Sequence, residues 1–230
     1  MQSKNYILAL ILNIETATKN CSVSIAEKGK TISLKEFNDG GYSHAEKLHQ
    51  FIKEVVEESG KKLSDVNAVA VSKGPGSYTG LRIGVSAAKG LCFALDIPLI
   101  SVETLKVLSK SIDVEDGFVI PLLDARRMEV YSQVFNAENL ELEEVKAEII
   151  DNTSFKDYLD KNAVYFLGDG AEKCKAFIKH INANFIDNCF PSAKEMSELS
   201  YLKFKKNDLE DVAYFEPFYL KDFVVTKSKK

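Results

Sequence analysis

A glycine-rich loop is the segment of this sequence whose residue types are best suited to chemistry. Residues 73–84 read KGPGSYTGLRIG and lie between a predicted strand and a predicted helix. The spacing does not fit a Walker loop, because five residues separate Gly74 from Gly80 and a leucine follows where lysine is required. It also does not fit the G-x-G-x-x-G dinucleotide motif. Two interpretations stay open. Either backbone N–H groups at the helix start hold an anion together with Arg82, or glycine permits a closely packed turn.

The histidines and cysteines do not form a catalytic or metal-binding pattern. His44 and His49 lie on one predicted helix, but their spacing places them about 140° apart around its axis, which prevents them from sharing an ion. His44 is expected near the helix cap and the solvent, and no carboxylate partner can be named for His180. No G-x-S-x-G elbow is present, and neither Cys21 nor Cys92 has a recognisable base. The residues alone therefore assign no catalytic side chain and no metal ligand.

The composition indicates a globular protein without a broad basic surface. The chain has 230 residues, of which 45% are hydrophobic and 28% charged, and its formal net charge is −4. This composition excludes a disordered chain or a small disulfide scaffold. Because the net charge is negative, any contact with nucleic acid must depend on local basic residues. The 27 lysines are accompanied by three arginines, Arg82, Arg126 and Arg127. Either codon usage explains this ratio, or arginine is kept where its planar fork is needed.

Two features predict a cytoplasmic protein. The apolar run at residues 6–14 is about half the length that a membrane-spanning helix needs, and no A-x-A-like cleavage site follows it. The cysteines lack the spacing of metal ligands, and a disulfide framework is not expected in a chain of this length, which favours buried thiols in a reducing compartment. They are Cys21, Cys92, Cys174 and Cys189.

Hydrophobic periodicity predicts a strand-rich first half with two helices. Strands are expected at residues 6–14, 21–26, 31–37, 67–72 and 98–102. A helix over residues 43–59 begins with a capping box of Ser43 and Glu46 and carries one apolar stripe. A second helix, over residues 81–95, is apolar nearly all round. One of its sides is therefore expected on the sheet and the other against another helix or another chain.

The second half repeats this order of elements. Strands are expected at residues 118–123, 128–135 and 163–167, and helices at 171–180 and 193–202. The repetition indicates two related α/β subdomains, residues 1–103 and 104–230. Residues 221–230 carry four lysines, which either contact phosphate or form a solvated tail.

Several strings of residues resemble the TsaB (YeaZ) family. In the first half these are ILNIETAT at 11–18, YSHAEKL at 42–48, the glycine loop and AKGL at 88–91. In the second half they are DARRMEVY at 124–131, GDG at 168–170 and PFYLK at 217–221. The loop string is highly specific, and the resemblance covers nearly the whole chain. Glu15 is a departure, because relatives more often carry aspartate there.

The resemblance implies a fold, a function and a set of partners. The fold is that of the actin, Hsp70 and sugar-kinase superfamily (ASKHA), with two pseudo-duplicated α/β subdomains that each hold a mixed five-stranded sheet flanked by helices. The function is that of a non-catalytic dimerisation subunit in the complex that transfers threonylcarbamoyl to N6 of adenosine 37 in tRNAs reading ANN codons. The implied partners are the catalytic paralogue TsaD, the small ATPase TsaE, tRNA through the complex, and a second copy of the chain when it is alone. The chain itself then needs no cofactor and no metal, while ATP or ADP can sit at an interface of the complex.

Two enzymatic alternatives compete with this function. A metallopeptidase needs the two histidines that bind the metal in the catalytic paralogue. The resemblance aligns those positions with Thr104 and Leu108. A threonine hydroxyl is a poor metal ligand, and leucine cannot coordinate a metal. A nucleotide-dependent phosphotransferase of the same superfamily needs glycine in its phosphate loops, and neither residues 15–18 nor residues 124–127 contain one.

The resemblance also implies two sets of site residues. The helices over residues 43–59 and 81–95 are expected to pair with the same helices of the paralogue. The expected interface residues are His44, Leu48, Phe51, Ile52, Val55, Gly80, Gly84, Ala87, Ala88 and Leu91. The residues expected to contact an anion or a nucleotide are Gly74, Gly76, Ser77, Thr79, Arg82, Glu15, Thr16, Arg126 and Arg127.

Overall fold

A five-stranded mixed sheet carries the first half of the chain in a computed structural model that describes residues 9–38, 40–41 and 43–221. Its strands are β1 (Leu10–Glu15), β2 (Cys21–Glu27), β3 (Lys30–Phe37), β4 (Ala68–Gly74) and β5 (Leu99–Glu103). They lie in the order β3-β2-β1-β4-β5. The first three strands form an antiparallel meander, and β4 and β5 run parallel to β1. Every residue of β1 is buried, as its unbroken apolar run predicts.

The described residues include six α-helices, of which the first two in the chain cover one face of this sheet and the last covers the other. They are α1 (His44–Glu58), α2 (Tyr78–Leu95), α3 (Thr104–Ser109), α4 (Lys156–Leu159), α5 (Ala171–Cys174) and α6 (Ala193–Lys205). Side chains alternate along β1, so Leu12 and Ile14 join the core cluster of α1 and α2 on one face. Ile11 points to the other face and packs with Met196 of α6. The two helices expected at the partner interface therefore share one face of one sheet.

The second half forms a six-stranded sheet, one strand more than expected. Its strands are β6 (Phe118–Asp124), β7 (Glu129–Ser132), β8 (Phe135–Asn136), β9 (Lys146–Ile149), β10 (Val164–Leu167) and β11 (Ala183–Ile186). They follow the order β11-β10-β6-β7-β9, and β8 pairs with β6 outside this path. The extra strand arises because the strand predicted at residues 128–135 is divided. Its first part pairs with the end of β6, and its second part pairs with the beginning of β6.

After it forms the second sheet, the chain returns to pack on the first sheet. A single domain boundary near residue 103 does not describe this return. α6 packs on β1, β2 and β5 although it follows the second sheet in the chain. α3 links the two sheets, because Val107 joins the core cluster of Ile11 and Met196 while Leu105 joins the cluster beside β6. By packing, α6 therefore belongs to the first subdomain.

Two local predictions for the helices are wrong. The side chain of Ser43 makes no capping hydrogen bond; its carbonyl instead accepts from Glu46 N at 3.1 Å and from Lys47 N at 3.0 Å. The helix predicted over residues 171–180 ends as α5 at Cys174, because the backbone turns at the next residues.

Parts of three predictions lie outside the described residues: the first residues of the strand at 6–14, Tyr42 of the family string, and the tail at 222–230. Within the described part of the chain, no helix is long and apolar enough to cross a membrane. The four cysteines are free thiols, and three of them are buried, as expected.

Candidate functional site

The glycine loop is fixed against the turn that joins β1 to β2. Thr16 Oγ1 donates to Gly80 O at 2.8 Å, and Ser77 N donates to Ala17 O at 2.7 Å. The Ser77 hydroxyl accepts from Gly80 N at 3.2 Å and caps the first turn of α2. The loop is thereby held at the carboxyl ends of the central strands β1 and β4.

Three glycines of the loop string occupy positions where a side chain would collide with this turn. A Cβ on Gly76 would stand 2.5 Å from Ala17 O. Gly80 faces Thr16 O, and Gly84 faces Thr16 Oγ1, both at still closer range. Real Cβ atoms essentially never show contacts below 3.0 Å. These contacts support the second interpretation of the string, a closely packed turn, and contact of the loop with an anion stays a prediction.

The loop is covered on its other side by the segment after α6, residues 206–221, which we call the C-terminal strap. Phe218 N donates to Lys73 O at 2.7 Å. A Cβ on Gly74 would stand 2.5 Å from Phe218 O, and Gly74 has a positive φ of 115°. Glycine is therefore favoured at this position by backbone conformation as well as by space.

The C-terminal strap also joins α2 to the second subdomain. Arg82 Nε donates to Tyr219 OH at 3.2 Å, and the Arg82 guanidinium lies 4.1 Å from the centroid of the Tyr78 ring. Two residues further along the strap, Lys221 pairs with Glu129 at the start of β7. The PFYLK string is the sequence signal for these contacts, but sequence reasoning did not assign them.

Glu15 lies at the end of β1 and is fully buried. Its Oε1 accepts from Ala17 N at 2.6 Å, while Oε2 has no partner of good geometry among the described residues. Burial raises the pKa of Glu15 to about 7, and hydrogen bonds from Ser72 and Ala17 oppose this increase only in part. The Ser72 hydroxyl is itself shared with Thr104 Oγ1 at 2.8 Å. Glu15 therefore changes charge near neutral pH.

Arg126 and Arg127 lie in the second subdomain, at the exposed turn between β6 and β7. Asp124 Oδ1 accepts from Arg126 N at 2.8 Å, and Asp169 Oδ1 accepts from Asp124 N at 2.9 Å. Burial raises the pKa of Asp169, and the nearby positive charge of Lys19, from the β1–β2 turn, opposes this increase. The charge of Lys19 therefore acts on Asp169, whose carboxylate accepts from the backbone at the end of β6.

Most of the expected interface residues belong to the chain's own core. α1 and α2 each turn an apolar stripe toward the first sheet, and these stripes supply the residues that the sequence analysis selected. The buried ones are His44, Leu48, Phe51, Ile52, Val55, Gly80, Gly84 and Ala88. Ala87 and Leu91 are partly exposed.

His44 is a clear correction, because it was expected near the solvent and is 1% exposed. Its Nε2 lies 2.7 Å from Thr18 O, so the ring contacts the β1–β2 turn from the start of α1. Burial lowers the pKa of His44, and the contact with the Thr18 carbonyl opposes this decrease.

The sequence analysis did not distinguish the outer, solvent-exposed face of α2 from the inner face that packs on the sheet. Phe93 is 85% exposed there, and the other exposed residues are Thr79, Arg82, Ser86, Gly90 and Ala94. Phe93 is the large apolar side chain among these exposed residues of α2.

The two positions aligned with the paralogue's metal ligands lie in the protein interior. Thr104 is buried and its hydroxyl pairs with Ser72, while Leu108 is buried in the cluster beside β6. Among the described residues, no group of three His, Cys, Asp or Glu side chains is arranged to hold a metal ion.

Comparison with known proteins assigns the family. Residues 40–228 match the family model described as "TsaD: tRNA N6-adenosine threonylcarbamoyltransferase". The chain is 35% identical over 164 residues to a protein of Bacillus subtilis strain 168 named "tRNA threonylcarbamoyladenosine biosynthesis protein TsaB", covering 68% of this chain and 70% of that protein. This chain belongs to the TsaB family. A Haemophilus influenzae protein of the same name is 28% identical over 230 residues, covering 94% of this chain and 95% of that protein.

Solved structures of this family share the fold. A Pseudomonas aeruginosa protein described as similar to the peptidase YEAZ matches with a TM-score of 0.81 and 22% identity, covering 93% of this chain and 100% of that chain. A second structure, YeaZ from Pseudomonas aeruginosa, matches with a TM-score of 0.75 and 22% identity, covering 92% of this chain and 100% of that chain. The α/β fold of two sheets flanked by helices, predicted as ASKHA-like, is confirmed; the strand number of the second sheet is not.

Proposed function

We propose that this chain is a non-catalytic subunit of the complex that transfers threonylcarbamoyl to N6 of adenosine 37 in tRNAs reading ANN codons. In this role it binds and activates a TsaD-type catalytic paralogue. The observation that carries the proposal is the 35% identity to a relative named for threonylcarbamoyladenosine biosynthesis, over 70% of that relative's length. TsaE as a further partner, a homodimer of the isolated chain, and ATP or ADP at an interface of the complex belong to the same proposal.

The chemistry of the buried side chains supports a non-catalytic role. The glycine loop is covered by the β1–β2 turn and by the C-terminal strap, so its backbone serves internal packing. Burial raises the pKa of Cys21 to about 12 and that of Cys92 to about 11. Thiols with such pKa values remain protonated at neutral pH and are poor nucleophiles. Among the described residues of the site, none combines an accessible nucleophile with a base.

Reconstitution of the reaction tests this function. We expect a mixture of this chain, a TsaD-type paralogue, TsaE, threonylcarbamoyl-adenylate and tRNA to form the modified nucleoside, and we expect nearly all product to disappear when this chain is left out. Product is measured by mass spectrometry of digested tRNA. Full modification without this chain, or modification by this chain alone, would contradict the proposal.

The outer face of α2 is the surface that we propose for the catalytic paralogue. Phe93 is 85% exposed, and the partly exposed Ala87 and Leu91 lie on the same helix. The small exposed residues Ser86 and Gly90 allow a second helix to approach closely. The proposed interface is thereby moved from the buried stripes of α1 and α2 to the exposed face of α2.

Phe93→Asp is expected to weaken association with the paralogue by about tenfold or more, because a buried aromatic contact is replaced by a charge without a partner. Sedimentation and pull-down measure this effect on the folded variant. Ile181→Asp is the matched control, since Ile181 is 94% exposed and lies in the second subdomain. Equal affinity of the Phe93→Asp variant and the unchanged protein would place the interface elsewhere.

A further inference from the structure

We propose that the turn between β6 and β7, together with Lys19, is a contact surface for the phosphodiester backbone of a structured RNA. We call this surface, formed by Lys19, Arg126 and Arg127, the arginine turn. The proposal rests on the proposed function, under which the complex acts on tRNA. It adds that this subunit itself touches the RNA and names the residues that do so.

The backbone of the arginine turn is held in an unusual conformation. Arg126 and Arg127 both have positive φ, of 70° and 51°, a left-handed backbone conformation that residues other than glycine rarely adopt. Lys173 of α5 stabilises this conformation. Its Nζ donates to Asp124 Oδ1 at 2.5 Å, to Arg127 O at 3.0 Å and to Glu129 O at 2.6 Å. The backbone that carries the two adjacent, exposed arginines is therefore held by contacts to Lys173.

Two acidic neighbours of the turn are in ion pairs, and a third, Asp169, is partly buried and accepts from Asp124 N. Asp124 forms an ion pair with Lys173, and Glu129 forms one with Lys221 of the C-terminal strap. Within the described part of the chain, Lys19, Arg126 and Arg127 form no ion pair, and all three are exposed. The arginine turn is therefore locally positive, although the whole chain has a net charge of −4.

The remaining arginine, Arg82, contacts the C-terminal strap, which also reaches the arginine turn. Arg82 bonds to Tyr219, and Lys221, two residues later, pairs with Glu129 at the base of the arginine turn. Tyr219 and Lys221 are therefore close together, because two residues of extended chain span at most about 7 Å. The C-terminal strap thus contacts Arg82 directly and reaches the base of the arginine turn through Lys221 and Glu129. The planar guanidinium fork of arginine is suited to pairing with phosphate oxygens.

An extended polyanion fits this surface better than a small ligand does. A small ligand needs an enclosing pocket, and the three residues of the arginine turn line neither the cleft beside Asn20 and Asn188 nor the cleft between Arg82 and Phe215. Lys19 is the exposed residue of the otherwise buried residues 16–20 of the first subdomain, and Arg126 and Arg127 belong to an exposed turn of the second, so the charges come from two turns. RNA backbone offers regularly repeated phosphates that can bridge such a distance.

The test uses the variant Arg126→Asn/Arg127→Asn, because asparagine tolerates left-handed backbone. Binding of an in vitro transcribed tRNA substrate is measured by filter binding, for the full chain assembled with its catalytic paralogue, at several salt concentrations. We expect several-fold weaker binding at low salt. We also expect the slope of log K against log salt to become shallower by about one for each phosphate that the variant no longer neutralises. Lys205→Asn/Lys206→Asn, which removes an adjacent exposed basic pair from the end of α6, is expected to leave both quantities unchanged.

Three results would overturn the inference. The first is unchanged tRNA binding and salt slope in the arginine variant, and the second is an equal loss of tRNA binding in the lysine control. The third is a loss of ATP binding by the arginine variant with unchanged tRNA binding, which would mark a nucleotide site. Circular dichroism verifies that each variant is folded. If the asparagine variant is unfolded, Arg126→Lys/Arg127→Lys replaces it, because this variant keeps the positive charges. The lysine variant must then retain the salt slope of the unchanged protein. If the chain is required for modification but the arginine variant binds tRNA normally, this inference fails and the proposed function stands. If the chain is not required, the proposed function fails independently.

Discussion

Gly80→Ala is expected to lower the free energy of unfolding by about 3 kcal/mol, although alanine is the better helix former. Gly80 lies in the first turn of α2, and a Cβ there would be well below 3.0 Å from Thr16 O. The atom that would have to move belongs to the backbone of the β1–β2 turn, which is also held by the bond from Thr16 Oγ1 to Gly80 O. Urea titration at one fixed protein concentration measures the change.

Gly90→Ala on the same helix provides the matched control. A Cβ at Gly90 has no heavy atom within 4 Å, and the residue is exposed in the interior of α2. This substitution is expected to raise the free energy of unfolding by about 0.5–1 kcal/mol, because alanine loses less backbone entropy. Effects of the same sign at Gly80 and Gly90 would contradict the packing role that the structure gives to the loop string.

The elements of the first subdomain could be predicted because local patterns determine them. The apolar run at the start of the chain identifies β1 as a strand covered on both faces, and the apolar stripe of residues 43–59 matches α1 within one residue at each end. The glycine string was correctly expected at the junction of a strand and a helix, but it includes the end of β4 and the first turns of α2, which begins at Tyr78, three residues before the predicted start. Its packing role was one of two open interpretations, since the atoms that crowd Gly76 and Gly80 come from a different part of the chain.

The candidate site depends on contacts that sequence periodicity does not reveal. α2 is apolar on both sides, so the pattern alone did not show that Val85 and Ala88 face the sheet while Phe93 faces the solvent. The C-terminal strap contains no regular element, and its contact between Phe218 and Lys73 joins residues that are remote in sequence. The burial of Glu15 likewise follows from the way in which the loop and the β1–β2 turn close over it, and it could not be read from neighbouring residues.

This burial leads to the second large effect, because Glu15→Gln is expected to remove about 3 kcal/mol of pH dependence from the stability of the protein. The pKa of Glu15 is raised from 4.5 to about 7 in the folded protein. Below pH 4.5 the carboxyl is protonated in both states and its contribution to stability is fully present. As the pH rises toward 7, the unfolded chain ionises first, and the folded protein loses stability across this window. One pKa unit corresponds to about 1.4 kcal/mol, which sets the size of the loss.

The measurement is the difference in unfolding free energy between Glu15→Gln and the unchanged protein, determined by urea titration from pH 4.5 to pH 8. Glutamine keeps an oxygen for the bond from Ala17 N and stays neutral throughout, so the difference should grow in favour of the variant and level off above pH 7. Glu115→Gln, which neutralises an exposed carboxyl in the second subdomain, controls for the change in net charge. A difference that stays constant from pH 4.5 to pH 8 would mean that Glu15 is ionised in the folded protein, with an unrecognised partner at its buried Oε2.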